Sequence, residues 1–440
     1  MAKENNLPSP LISVDIMTQN PHDFLIGLYK AGLSAAMPSQ CVPANLPAPP
    51  KGRTIVVGAG KAAASMSKAV EEHYKGKIDA GLVVTRYLHG LPLKTIEVVE
   101  AGHPNPDDAG RKAAQRILDL AGTLTPDDML LCLISGGGTA LLTLPAAGLE
   151  MPDIRAVNDA LLKSGATINE FNCVRKHLSA ISGGRLARAA KGAKVVSLII
   201  SDVSGDDLSV IASGPTVGDV TTFADARDIL RRYGITPPPA IAAYLEEARE
   251  ETVKPDDACL KNVENILIAT SQDAVEAAAA YAREQGVTPY ILGNAIEGEA
   301  KDVALVMAGI AKQVALHDQP FAAPCVFISG GETTVTVKGK GKGGRNSELL
   351  IHMAMAMQGN PRVHAISCGS DGSDGTENNA GAILHPDTLA KAAAAGAAKP
   401  VTYADNNDSY SFFKLCDGIV ETGPTLTNVN DIRAVYVTGK

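Results

Sequence analysis

Four charged residues sit in loops whose composition suits phosphate chemistry: Lys61 in GAGK, Asp202 in SDVSGDD, Arg345 in GGRNSE and Asp371 in SDGSDG. At Gly58-Ala59-Gly60-Lys61 the run TIVV delivers the chain to two glycines, and a helix is expected from about Ala62. Bare backbone lets Gly58 and Gly60 approach an anion, and a helix N-terminus adds free N–H groups and positive dipole character. The spacing is not that of a Walker loop, which needs four residues between its first glycine and Gly-Lys-Ser/Thr. It is the looser G-x-G-x-x-A of a dinucleotide fingerprint. Read structurally, the same stretch is a tight strand–helix turn with a solvated lysine. The loop Ser135-Gly136-Gly137-Gly138-Thr139 is more pointed, because three consecutive glycines lose much chain entropy on folding. A nest of N–H groups around phosphate or carboxylate oxygens is its functional reading, and close helix-on-strand packing its structural one. Ser329-Gly330-Gly331 repeats the theme late in the chain.

Carboxylates gather in two of these loops. Asp202 and Asp206 could hold Mg²⁺ or take a proton from a substrate hydroxyl, whereas Asp207 reads as a helix cap. In the stretch 370–382, Asp371 stands nearest the strand end and reads as a single catalytic carboxylate. The spacing of Asp371, Asp374 and Glu377 lacks the alternation that an EF-hand loop requires. Arg345, where the chain enters a helix, could reach phosphate or carboxylate with both arms of its fork. Lys338, Lys340 and Lys342 read as a solvated hairpin. In NCVRKH, Arg175, Lys176 and His177 could grip a substrate carboxylate or simply form a solvated helix face. His103, His177 and His385 are far apart with no i, i+4 partner, and no hydrolase elbow or deaminase zinc pattern occurs.

The elements that must hold these loops follow one scheme. A short, fully apolar run ends in Gly, Ser, Asp or Thr, and an alanine-rich helical stretch often follows. TIVV, LLCLI, VVSLII, NILIA, PYIL, CVFI and VHAI are the instances. Unbroken apolar strands imply burial on both faces, so an α/β fold with largely parallel, helix-flanked sheets is expected. In such sheets the loops at the carboxyl ends of strands build the site. A helix is expected over 22–36, then a proline-rich link. The polar stretch near 250–262 suggests a boundary between domains at 20–255 and 262–440, with the active site in the cleft between them.

Composition narrows the class. The 440 residues are 45% hydrophobic and 20% charged, with a net charge of -8, which argues against a nucleic-acid surface. Seven scattered cysteines form no C-x-x-C pair, which points to a reducing compartment without a disulfide framework. The polar start MAKENNLPSP lacks the pattern of a signal peptide, and no apolar run reaches the ~18 residues of a membrane span. A soluble cytoplasmic enzyme, with no membrane partner, is the expectation.

Taken in order, GAGKAA (58–63), GHPNPD (102–107), SGGGTALL (135–142) and INEFNCVRKHLSAISGGRLA (168–187) resemble the glycerate 2-kinase family. So do SDVSGDDLSVIASGPT (201–216), SGGETTV (329–335), GGRNSE (343–348), SDGSDG (370–375), NDSYSFF (407–413) and TGPTLTNVNDI (422–432). That family joins an N-terminal domain, also labelled hydroxypyruvate reductase, to a C-terminal MOFRL domain. The resemblance spans nearly the whole chain. It implies two α/β/α domains, the first Rossmann-like, and ATP-dependent phosphorylation of D-glycerate at its 2-hydroxyl. It also implies that Lys61 and Arg345 are the key basic residues. Leu426 departs from the family's TGPTGTN. The rival reading is an NAD(P)H-dependent hydroxypyruvate reductase, with Arg86 after the run GLVV as partner for a 2′-phosphate. Oligomeric state stays open, including a homo-oligomer.

Overall fold

The apolar runs become strands, and the structure, a computed structural model, describes residues 20–440 of the chain. The polar start MAKENNLPSP lies outside the described residues. The first six strands are β1 (Thr54–Ala59), β2 (Ala80–Arg86), β3 (Ile96–Ala101), β4 (Met129–Ile134), β5 (Lys194–Ile200) and β6 (Val263–Ala269). They form one wholly parallel sheet in the order β3-β2-β1-β4-β5-β6. Every residue of β1 and β4 is buried, because helices such as Ala63–Tyr74 and Asp108–Gly122 cover the faces. The order reverses between β1 and β4, so the crevice beyond their carboxyl ends is where this architecture places a ligand. GAGK and SGGGT lie there.

The remaining strands are β7 (Thr288–Gly293), β8 (Gly298–Glu299), β9 (Cys325–Ser329), β10 (Thr333–Thr334), β11 (Val363–Gly369), β12 (Gly381–Leu384), β13 (Ile419–Val420) and β14 (Asp431–Val437). Six of them build a second sheet, β13-β12-β11-β14-β9-β7, while β8 and β10 pair separately. Here the expectation of largely parallel sheets gives way. Only β7 and β9 run parallel, joined through the helix Ala300–His317. The β11–β12, β11–β14, β12–β13 and β14–β9 pairs are antiparallel. For the β11–β12 pair the physical reason is connection length. The stretch from β11 to β12 contains no helix, and parallel neighbours need a long crossover.

The expected boundary at 255–262 also shifts, since β6 on its far side completes the first sheet against β5. The polar stretch is only the surface link into that strand. The helix Pro21–Ala35, from the other end of the chain, docks on the second sheet. Phe24 stacks by Tyr281 and Tyr436, and Tyr29 Oη donates to the Gly369 carbonyl at 2.9 Å. A side chain on Gly32 would come within 2.8 Å of the Ala274 carbonyl, so this helix touches the helix Ser271–Glu284 backbone to backbone. One apolar cluster runs through Leu25, Val56, Leu131, Val196, Ala274, Ile328 and Ile432, joining both sheets into a continuous core. Among the described residues no helix is long and apolar enough to cross a membrane.

Candidate active site

The two glycine-rich loops of the first sheet are stitched to one another. Gly60 N–H donates to the Val84 carbonyl at 3.1 Å, Lys61 N–H to the Gly136 carbonyl at 2.9 Å and Ala62 N–H to Ser135 Oγ at 3.0 Å. Gly60 has φ +135°, and a Cβ there would strike Ser135. Gly58 is likewise pinned, against the Leu133 backbone. The donors of GAGK are therefore spent on its neighbour, and Gly58, Gly60 and Ser135 shape the turn instead of cradling a phosphate. Gly136 and Gly137 donate no backbone hydrogen bond of this kind. Gly138 N–H turns back to Ser135.

That turn aims Lys61 across the cleft. Its Nζ meets Asp371 Oδ2, at the end of β11 in the second sheet, at 2.7 Å, with the two side chains 15% and 9% exposed. Burial would raise the Asp371 carboxyl, but the charges of Lys61 and Arg345, with the Ser373 N–H at 2.9 Å, hold it below the usual range. Arg345 opens the helix Arg345–Met357. Its Nε contacts both oxygens of Asp431, at 2.9 and 3.0 Å, and its Nη1 reaches Glu332 at 2.8 Å. Burial works against its charge, yet Asp431, Glu332 and Asp371 lift its pKa above the usual value. Asp431 is fully buried and also takes hydrogen bonds from Asn346 and Arg433. Arg345 is thus clamped on one side, and its Nη2 has no hydrogen-bond partner among the described residues.

Asp202 completes the cluster from the end of β5. Its Oδ2 accepts from Asn428 Nδ2 at 2.7 Å, and its carbonyl accepts from Asn430 Nδ2 at 2.6 Å. A Cβ on Gly136 would strike that carboxylate, which explains glycine there. Burial, opposed by Lys61 and reinforced by Glu332 and Asp371, pushes the Asp202 carboxyl up to about 6. His103 lines the same cleft. A Cβ on Gly137 would come within 2.9 Å of its ring, and burial with Lys61 and Arg86 pushes its pKa down to about 4, leaving it neutral. Leu426 stands at φ +62°, a conformation that favours glycine, and its carbonyl accepts from Ser65 Oγ at 2.5 Å.

Lys61, Asp202, Arg345 and Asp371 are thus brought together, and four other candidates are not. Asp206 sits at φ +54° in the turn Val203–Asp206 and makes no hydrogen bond to this cluster. His177 is fully buried, its Nδ1 on the Cys173 carbonyl and its Nε2 near Glu251, with its ring edge-on to Phe223. It packs as a core histidine. Gly330 and Gly331 are packed on the segment 294–296, and their carbonyls take hydrogen bonds from Arg433. Lys176 is no solvated lysine either, being buried against Asp219 at 2.8 Å. Arg175 differs from its neighbours. Its guanidinium lies over the Phe171 ring at 3.7 Å, its Nε bonds Asn158, and burial pushes its pKa down to about 10. It lines a cavity of about 30 Å³ with Thr139, Ser179, Ser182 and Ser213. His103, Glu332, Asn428, Asn430 and Asp431 were not singled out from the sequence, although GHPNPD, SGGET and TNVND carry them. Among the described residues no set of three or more His, Cys, Asp or Glu side chains is arranged to hold a metal ion by itself.

Comparison with known proteins fits this arrangement. The family described as Domain of unknown function (DUF4147) matches residues 24–246, and the MOFRL family matches residues 325–431. A Thermotoga maritima protein named D-glycerate 2-kinase is 42% identical over 92% of this chain and 96% of its own. A Pyrococcus horikoshii protein named glycerate 2-kinase is 42% identical over 89% and 88%. An Agrobacterium vitis protein that bears a hydroxypyruvate reductase name is 49% identical over 93% of each chain. The crystal structure of a Thermotoga maritima glycerate kinase superposes with a TM-score of 0.85 at 40% identity, covering 94% of this chain and 99% of that one. With both family segments in order, and such relatives matched along nearly their whole lengths, the chain belongs to the glycerate kinase family that joins a DUF4147 domain to a MOFRL domain.

Proposed function

We propose that this protein transfers the γ-phosphoryl group of ATP to the 2-hydroxyl of D-glycerate, giving 2-phosphoglycerate and ADP. The observation that carries the reading is the charge line Lys61–Asp371–Arg345 across the cleft, with the Asp202 carboxyl beside it. Phosphoryl transfer needs positioning and charge neutralisation more than covalent chemistry. Lys61 and the Nη2 of Arg345 supply positive charge from opposite walls, and the Gly136 and Gly137 N–H groups add donors. Asp202 takes the proton of the attacking hydroxyl, since a carboxyl titrating near 6 is largely ionised yet still basic at neutral pH. Arg175, without a carboxylate partner among the described residues, anchors the glycerate carboxylate in its small cavity.

Mg²⁺ fits this site as a nucleotide-borne ion. One oxygen of Asp202 makes no side-chain hydrogen bond among the described residues, and Mg²⁺ commonly takes only one or two carboxylates together with substrate phosphates. When bound, it supplies neutralisation of the phosphate charge. Activity should vanish in strong chelator and return with Mg²⁺ or Mn²⁺; full activity in chelator would remove that role from Asp202. A soluble, cytoplasmic enzyme is inferred from its seven free cysteines, which fit a reducing compartment.

The reductase reading has the sheet order and a relative's name in its favour. Against it, the dinucleotide fingerprint works through free loop N–H groups, and those of Gly60, Lys61 and Ala62 are already occupied. ADP release with D-glycerate, coupled to enolase without added mutase, tests the kinase reading. Direct formation of phosphoenolpyruvate is expected. Formation of 3-phosphoglycerate alone, or NAD(P)H oxidation by hydroxypyruvate without ADP release, would overturn it.

A further inference from the structure

Two cavities bear on this reading, one lined by residues 106–213 and one by residues 333–407. The Arg175 cavity on the first-sheet side, about 30 Å³, suits a group the size of a carboxylate. The other, about 280 Å³, lies on the second-sheet side with Arg345 in its lining, together with Thr333, Val335, Val337, Gly343 and Asn407. We propose that the adenosine half of the nucleotide occupies this second cavity, its phosphates passing Arg345 toward Lys61. The proposal rests on the kinase reading and adds where the nucleotide sits.

Four features of the cavity support a nucleotide. Its volume approaches the roughly 300–1,000 Å³ of small-molecule sites, whereas the first cavity is an order of magnitude too small for a nucleoside. Part of its wall is bare backbone at Gly341, Gly343, Gly344 and Gly375, and a planar ring lies readily on such a surface. These glycines are fixed by the fold, because a Cβ on Gly344 would strike the Gly375 backbone and one on Gly341 would strike Asp408. The rim carries Val337, an apolar side chain left 74% exposed, as expected where a base covers it. Finally, Thr333 lines the cavity, and its buried hydroxyl has no hydrogen-bond partner among the described residues. Buried hydroxyls normally find a partner, and a ligand polar atom would provide one.

The phosphates have one evident anchor here. The first N–H groups of the helix Arg345–Met357 would ordinarily attract an anion, but Asp374 already accepts from Asn346 and Ser347 N–H at 2.9 Å. The helix end is closed by its own carboxylate, so anion binding in this cavity falls to Arg345.

Photolabelling with 8-azido-ATP, followed by peptide mapping, tests the placement. The label should fall within residues 333–345 or on the segments around Gly375 and Asn407, and excess ATP should suppress it. Thr333→Val removes only the orphaned hydroxyl, and Val337→Asp changes only an exposed side chain, so both variants should fold. Each should raise KM for ATP about tenfold, the effect of one good contact, while KM for D-glycerate stays within twofold. Labelling confined to residues 54–140, or an unchanged KM for ATP in both folded variants, would overturn the proposal. A wild-type protein that is labelled at the expected segments but phosphorylates no glycerate would support the site and sink the kinase reading instead.

Discussion

Replacing Asp202 by asparagine separates a catalytic carboxylate from a structural one, because the two make opposite demands on stability. The site pushes the Asp202 carboxyl from its ordinary 3.8 up to about 6 through burial and the nearby Glu332 and Asp371, with Lys61 opposing. A folded-state pKa above the unfolded one means the folded protein binds this proton more tightly. Its favourable contribution is fully present below pH 3.8 and is lost as pH rises through about 6. Above that, the ionised carboxylate costs the folded state up to about 3 kcal/mol, at 1.36 kcal/mol per pH unit. Asparagine carries no charge and its carbonyl can still accept from Asn428. The variant should therefore match wild type in thermal stability near pH 4 and exceed it near pH 8, while kcat falls by about 10²–10⁴ through loss of the base. Differential scanning fluorimetry across pH 4–8, on both proteins in the same buffers, measures the first effect, and ADP release measures the second. A stability difference that does not change with pH, or an Asp202→Asn variant less stable than wild type at pH 8, would refute the reasoning. So would retention of a tenth of wild-type turnover.

Other outcomes follow from the same geometry. Lys61→Ala and Arg345→Ala should each lower kcat by about 10³-fold in a folded protein, as expected for lost transition-state charge stabilisation; near-normal turnover in either would remove it from the chemistry. Arg175→Lys keeps the charge but loses the planar fork over Phe171, so KM for D-glycerate should rise at least about tenfold with KM for ATP unchanged, and equal shifts in both would place Arg175 elsewhere. Asp219→Ala strands Lys176 in the interior, where their side chains are 1% and 6% exposed, and should cost about 3–5 kcal/mol in urea unfolding. Because this pair lies outside the cleft, activity of the folded fraction should be intact.

How much of this could be read from the sequence depended on whether a residue's partners were local. Burial on both faces was legible in β1, β4 and β9, because an unbroken apolar run needs covering on either side whichever way its neighbours run. Strand direction was not legible for that same reason: the run CVFI of β9, which pairs antiparallel with β14, is as unbrokenly apolar as TIVV of β1. Lys61, Asp202 and Asp371 could be found because each stands at the end of such a run. Gly58 and Gly60 misled, since their loop's donors are taken by Val84, Ser135 and Gly136, which lie far along the chain. His177 misled because it shares a helix with Arg175 but points into the core beside Phe223. Asp431 was not singled out from its local sequence, TNVNDI. Its meaning comes from Arg345, which is 86 positions earlier.

The helix Pro21–Ala35 has a consequence for how the chain is made. It leaves the ribosome before every strand of either sheet, yet its buried face of Phe24, Leu25 and Leu28 seats mainly against elements made much later. It docks on the helix Ser271–Glu284 and beside β14, which ends at Val437. Once β6 has emerged and the first sheet can close, the remaining strands need roughly 10–30 s more at typical synthesis rates. Throughout that interval an amphipathic helix must stay solvated without its final partner. A nascent-chain holdase should therefore engage this segment. Ribosome-bound chains halted after residue 290 should cross-link to it through residue 24 or 28, and chains released at full length should not.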